Sequence, residues 1–219
     1  MKTQFLSTLN NSSGFIKAVP IIITINVGVF LTWLYAGKSE LLIFMTKNFL
    51  VSWEALVQGR DWTLLTSVFS HNMFLHIFLN MYVLHSFGPI VERVLGFRRF
   101  FVFYCVAGIV SSLVHSVVSA SFMDKPELPA LGASGAIAGL VLLFSLLYPR
   151  EKILLFGFIP TPALFGAFIF IGLDVWGLTA QIQGGGLPIG HGAHIGGSLT
   201  GIIYFFWALR NRRASRINY

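Results

Sequence analysis

The chain has 219 residues, of which 55% are hydrophobic and 11% charged, and its net charge is +7. Soluble domains carry about 25% charged residues, and a mean hydropathy of +0.77 excludes a water-soluble globule. A spanning helix takes roughly 20 apolar residues, so the length admits one bundle of about six helices and leaves no room for a folded soluble domain beside it.

The N-terminus, MKTQFLSTLN, is short and polar, with no basic region feeding directly into a cleavable apolar segment. Hydropathy then predicts an all-α, polytopic membrane protein. Its spans fall at about Val19–Ala36, Phe69–Val91, Phe100–Phe122, Ala133–Tyr148, Ile153–Trp176 and Ile189–Leu209. Residues 1–18 are a short cytoplasmic lead-in, 19–209 the membrane domain and 210–219 a basic tail. The connection 37–68 carries Phe44, Phe49, Trp53 and Trp62, rings that settle at the membrane interface, and is read as partly embedded there. The single cysteine, Cys105, cannot form an internal disulfide and is read as a small core residue.

Lysine and arginine set the orientation. With the N-terminus inside, the inner segments hold Lys2, Lys17, Arg93, Arg98, Arg99, Arg150, Lys152, Arg210, Arg212, Arg213 and Arg216, which is 11 of the 15 basic residues. The outer loops hold Lys38, Lys47, Arg60 and Lys125. Both termini therefore face the cytoplasm, in a cell or inner membrane. The basic charge serves topology and anionic lipid rather than nucleic acid.

Polar residues inside apolar helices are costly and call for a reason. Ser134 lies 16 residues before Arg150, and His194 lies 16 before Arg210. At 1.5 Å per residue both sit roughly 24 Å above the inner helix ends. His76 and Asn80 lie 17 and 13 residues before Arg93, or roughly 26 and 20 Å above it. Four polar side chains on three helices thus share one slab near the outer edge of a ~30 Å core. The fourth helix begins near Gly132, behind the loop LPAL, so loop backbone lies at membrane depth. Such backbone must be buried in protein or line a wet cavity.

Gly135 with Gly139 and Gly197 with Gly201 are each four apart, a spacing that lets helix backbones approach closely. Packing of the fourth helix on the sixth through these faces brings Ser134 within reach of His194. A serine hydroxyl becomes a nucleophile when a base takes its proton, and a histidine titrates near neutrality. Asp61, Asp124 and Asp174 are read as loop or helix-end residues, so a Ser–His dyad is preferred over a triad in which Asp174 orients His194. His76 and Asn80, four apart on one helix face, are candidate oxyanion donors together with the Ser134 N–H. The competing reading is that they bond only to neighbouring helices.

The stretches HNMFLHIFLN, GPIVERVLG, GASGAIAG and AHIGGSLTG, in that order, resemble the rhomboid family of intramembrane serine proteases over about residues 60–205. The resemblance implies a six-helix rhomboid-like bundle with Ser134 as nucleophile and His194 as general base. His76, Asn80 and the Ser134 backbone would form the oxyanion hole, with Gly132 and His71 completing the oxyanion and substrate-binding set. It implies membrane-protein substrates cleaved in or near a transmembrane segment, and no metal or other cofactor. Glu92 and Gly96 match the family's structural E-x-x-x-G and are read as an inner-side anchor. Two positions depart from the pattern. Thr63 follows Trp62 where many members have arginine, and Ala138 stands where many have an aromatic that packs on the histidine.

Two further readings use the same residues. One is an inactive relative that only binds membrane segments. The other is a metal transporter built on His191, His194, His71 and His76. His191 itself is read as a loop residue at the mouth of the site. The fifth span and the loop GGGLPIG are read as a substrate gate, because the glycines permit motion.

Overall fold

The computed structural model describes residues 17–37, 39–155 and 157–210. The lead-in 1–18, apart from its last two residues, and the basic tail beyond residue 210 lie outside the described residues. The chain folds into nine α-helices and one β-hairpin among the described residues: α1 Ala18–Ala36, α2 Glu40–Phe49, α3 Trp53–Val57, α4 Thr63–Thr66, α5 Phe74–Leu95, α6 Phe97–Phe122, α7 Ser134–Leu147, β1 Lys152–Leu155, β2 Ile159–Pro162, α8 Ala163–Ile182 and α9 His191–Tyr204. A π-helical turn, Phe205–Arg210, follows α9. This is a polytopic all-α membrane protein.

Four helices, α1, α5, α6 and α8, are long and apolar enough to cross a membrane. The fourth predicted span is shorter than the sequence indicates: α7 has 14 residues, or about 21 Å of helix against a ~30 Å core. The sixth is helical from His191 to Arg210, because the π-helical turn continues α9. The first turn of α7 is packed into the protein, with Ala133 and Ala136 buried. The fifth predicted span also needs correction. Its first ten residues are the antiparallel hairpin β1–β2, with Leu154 opposite Pro160 and Lys152 opposite Pro162. Two prolines and Gly157 at φ +86° stop a helix from forming there. The apolar run that marked the span belongs to a strand. Consequently α8 runs six residues further along the chain than predicted, to Ile182.

The end of the bundle where α1 begins and α5 ends is tied by Glu92. Its carboxylate accepts the Ala18 N–H at 2.6 Å and the Val19 N–H at 3.2 Å. These are orphan donors of the first turn of α1, which has no side-chain cap of its own. Gly96, at φ +78°, then ends α5 by donating to the Glu92 carbonyl at 2.7 Å. The anchor expected at this motif is thus an inter-helix cap.

In the centre, α7 is packed between α5, α6, α8 and α9, and its Leu140 and Leu143 are fully buried. The glycine faces meet as expected. A Cβ on Gly139 would stand 2.5 Å from the Gly197 carbonyl oxygen, and one on Gly201 would stand 2.5 Å from the Gly139 carbonyl oxygen. One on Gly197 would strike the Gly135 carbonyl. Backbone lies directly on backbone.

The connection between α1 and α5 is ordered by its own bonds. Thr63 is buried and donates to the Arg60 carbonyl at 2.7 Å. Arg60 reaches the Lys47 carbonyl at 3.2 Å and Gln58 at 2.8 Å, and Trp62 donates to Asn48 at 3.1 Å. The arginine that braces this loop thus precedes Trp62 instead of following it. Ile43, Phe44, Trp53, Val57 and Trp62 are exposed, as interface insertion requires.

Candidate active site

The loop ahead of Ser134 is fixed on three sides. Val51 and Ala130 exchange backbone hydrogen bonds at 3.0 and 2.8 Å. The Gly132 N–H donates to the Ser67 carbonyl at 2.9 Å, and the Ala133 N–H donates to His71 Nε2 at 3.4 Å. Backbone at this depth is satisfied by protein, which is the condition for keeping it there. As the acceptor of the Ala133 N–H, His71 Nε2 carries no proton, which places the ring proton on Nδ1.

Gly132 is at φ +121°, where residues with a Cβ are strained. A Cβ there would also lie 2.6 Å from the His76 ring. The His76 imidazole thus rests on Gly132, edge-on to His71 with ring centroids 4.8 Å apart. The helix starts immediately afterwards at Ser134, so the Ser134 N–H has no acceptor within the helix. Asn80 is buried on the same helix as His76, but its amide donates back to the His76 carbonyl at 2.8 Å. Its side chain is engaged with its own helix.

Across the glycine contact, α9 presents His194. The Ser134 hydroxyl donates to His194 Nε2 at 3.0 Å. On the opposite edge of the ring, Nδ1–H donates to Asp174 Oδ1 at 3.0 Å, and the same oxygen accepts from His191 Nδ1–H at 2.8 Å. The reading of Asp174 as a helix-end residue is corrected here. It lies inside α8, eight residues before the end. His191 is likewise no loop residue but the buried first residue of α9. Gly177, one turn beyond Asp174, leaves space for the His191 ring, which a Cβ there would strike.

A carboxylate only accepts hydrogen bonds, so both histidines carry their proton on Nδ1. In the neutral imidazole, Nε2 is then the bare nitrogen, and in His194 it faces the serine. The His194 ring is held by the carboxylate that the sequence offered only as the alternative to a dyad, and His191 stands edge-on to it with centroids 6.4 Å apart. Asp174, His191 and His194 each place one ligand-type atom within 4.8 Å of the others. His71 and His76 pair with one another over Gly132 and do not enter that group. The four-histidine ligand set considered from the sequence is therefore not assembled.

The family model for the rhomboid domain matches residues 58–211. The chain belongs to the rhomboid family. Among curated rhomboid relatives, RHOMBOID-like protein 12, mitochondrial, of Arabidopsis thaliana is 33% identical over 81% of this chain and 54% of its own length. Rhomboid protein 1, mitochondrial, of Saccharomyces cerevisiae is 34% identical over 71% of this chain and 45% of its own length. The putative rhomboid protease YdcA of Bacillus subtilis is 28% identical over 68% of this chain and 74% of its own length. The chain spans about half the length of the two mitochondrial relatives.

Proposed function

We propose that the protein is an intramembrane serine endopeptidase that hydrolyses peptide bonds in or near transmembrane segments of membrane-protein substrates. The observation that carries this reading is the 3.0 Å hydrogen bond between the Ser134 hydroxyl and His194 Nε2, at the start of α7. In the proposed reaction Ser134 Oγ attacks the carbonyl carbon as His194 takes its proton. The Ser134 N–H and the His76 ring beside Gly132 are the donors for the developing oxyanion. Asn80 reaches the oxyanion after its amide leaves the His76 carbonyl. His71 supports the loop that carries Gly132 and Ala133. His194 then passes the proton to the leaving amine, and water releases the acyl group. No metal or cofactor has a role in this sequence.

The test is cleavage of a single-span substrate in proteoliposomes. Wild type is expected to cut it within or beside the span, and Ser134→Ala is expected to leave it intact. Equal cleavage by both would remove Ser134 from the reaction.

We place the protein in a cell or inner membrane with both termini on the cytoplasmic side, from the 11-to-4 distribution of basic residues. α8 and the loop after it, held by Gln181 through the Leu187 and Ile189 carbonyls, are the proposed substrate gate. A reporter fused after Tyr219 should be active only when it is a cytoplasmic type. Activity of a periplasmic or luminal type at that position would reverse the orientation.

A further inference from the structure

We infer that Asp174 is a positioning residue that makes the site a Ser134–His194–Asp174 triad, with His191 holding the Asp174 carboxylate in place. The inference rests on the protease reading above and adds a residue to it.

Four observations carry it. A carboxylate within a spanning helix is costly unless it is partnered, and this one spends a single oxygen on two Nδ1–H donors at 2.8 and 3.0 Å. The second of these is the ring whose other nitrogen meets Ser134 at 3.0 Å. The His191 ring that shares the carboxylate also stands edge-on to the His194 ring, with centroids 6.4 Å apart. Gly177 opens the space in which His191 lies, and His191 is 9% exposed at its side chain, so the clamp is packed rather than solvated.

The proton accounting follows. Ser134 Oγ–H gives its proton to His194 Nε2 as Oγ bonds to the carbonyl carbon, and the carbonyl π pair moves to oxygen. His194 becomes an imidazolium whose Nδ1–H still points at Asp174. The carboxylate takes no proton; it fixes the ring and tautomer and stabilises the cation. The amine leaves with the proton from Nε2. The three residues come from α7, α9 and α8, so the triad exists only while α8 is seated against α9.

The experiment compares Asp174→Asn and Asp174→Glu with wild type in the proteoliposome assay. An asparagine amide can donate to Nδ1 and favour the Nε2–H tautomer, which cannot accept the serine proton. Asp174→Asn is expected to lower kcat by about 10²–10⁴-fold, with KM and the thermal midpoint unchanged. Asp174→Glu is expected to recover at least about tenfold of that loss, since it restores an acceptor. Histidine ¹⁵N spectra, assigned with His194→Ala, should show an Nδ1–H tautomer for His194 in wild type and Nε2–H in Asp174→Asn. A helix-tethering role alone would leave the tautomer where it was. If Asp174→Asn does not fold, the wild-type spectrum decides, and an Nε2–H tautomer there overturns the triad. Wild-type kcat in Asp174→Asn overturns the triad and leaves the protease reading standing. A wild type that cleaves nothing overturns both.

Discussion

His194→Ala is expected to lower kcat for a transmembrane substrate by about 10⁴–10⁶-fold, because nucleophile and base act as a unit and losing either costs nearly as much as losing both. The serine keeps its place at the start of α7 but has no acceptor 3.0 Å away for its proton. KM should be unchanged, since the imidazole is proposed to act on the reacting atoms and not on the rest of the substrate. The side chain is only partly buried, so the thermal midpoint in detergent should shift little. Steady-state kinetics in proteoliposomes give the first two quantities. A loss under tenfold would mean that another group takes the proton.

Gly197→Ala is the second large effect. The new methyl would meet the Gly135 carbonyl, which is backbone and cannot rotate away. α7 and α9 must therefore separate, and Ser134 leaves His194 with them. A displacement of about 1 Å costs on the order of 10²-fold in rate, and overpacking costs about 1–3 kcal/mol of stability. Both a lower kcat and a lower thermal midpoint are expected. Gly28→Ala is the matched control, because a Cβ on Gly28 meets nothing within 4 Å. Helix propensity there gains about 0.5–1 kcal/mol. Equal activity of Gly197→Ala and Gly28→Ala would show that the two helices meet on other faces.

The serine–histidine pair was legible because two independent periodicities point to it: equal distances to the inner basic residues, and glycines four apart on both helices. Each signal is local to one helix, and close glycine packing then dictates the rest. Asp174 was legible only as the less favoured orienter of His194, because it was read as a helix-end residue. Hydropathy placed its helix at Ile153–Trp176, two residues from Asp174, because the apolar strand Lys152–Leu155 extended the window inward. Pro160, Pro162 and Gly157 are the signal that would have corrected this. They move the helix to Ala163–Ile182 and put Asp174 at the depth of His194. Gly177 three residues on is the second signal, a small residue one turn from a carboxylate, where a neighbouring ring can enter. For His191, the four glycines of the preceding segment made a loop look longer than it is, and α9 starts on that histidine. The bond of Asn80 to its own helix is a side-chain choice between two acceptors that no sequence pattern encodes.

The most direct measurement is labelling of purified wild-type protein by a fluorophosphonate, followed by mapping of the modified residue. The reagent phosphorylates a serine only when a neighbouring base activates it and the site admits the reagent. One label, on Ser134, is expected, although that residue sits at the partly buried start of a helix. It should be absent in Ser134→Ala and nearly absent in His194→Ala, and chelators should not affect it. No label on Ser134, or labelling of His194→Ala at the wild-type rate, would contradict the account.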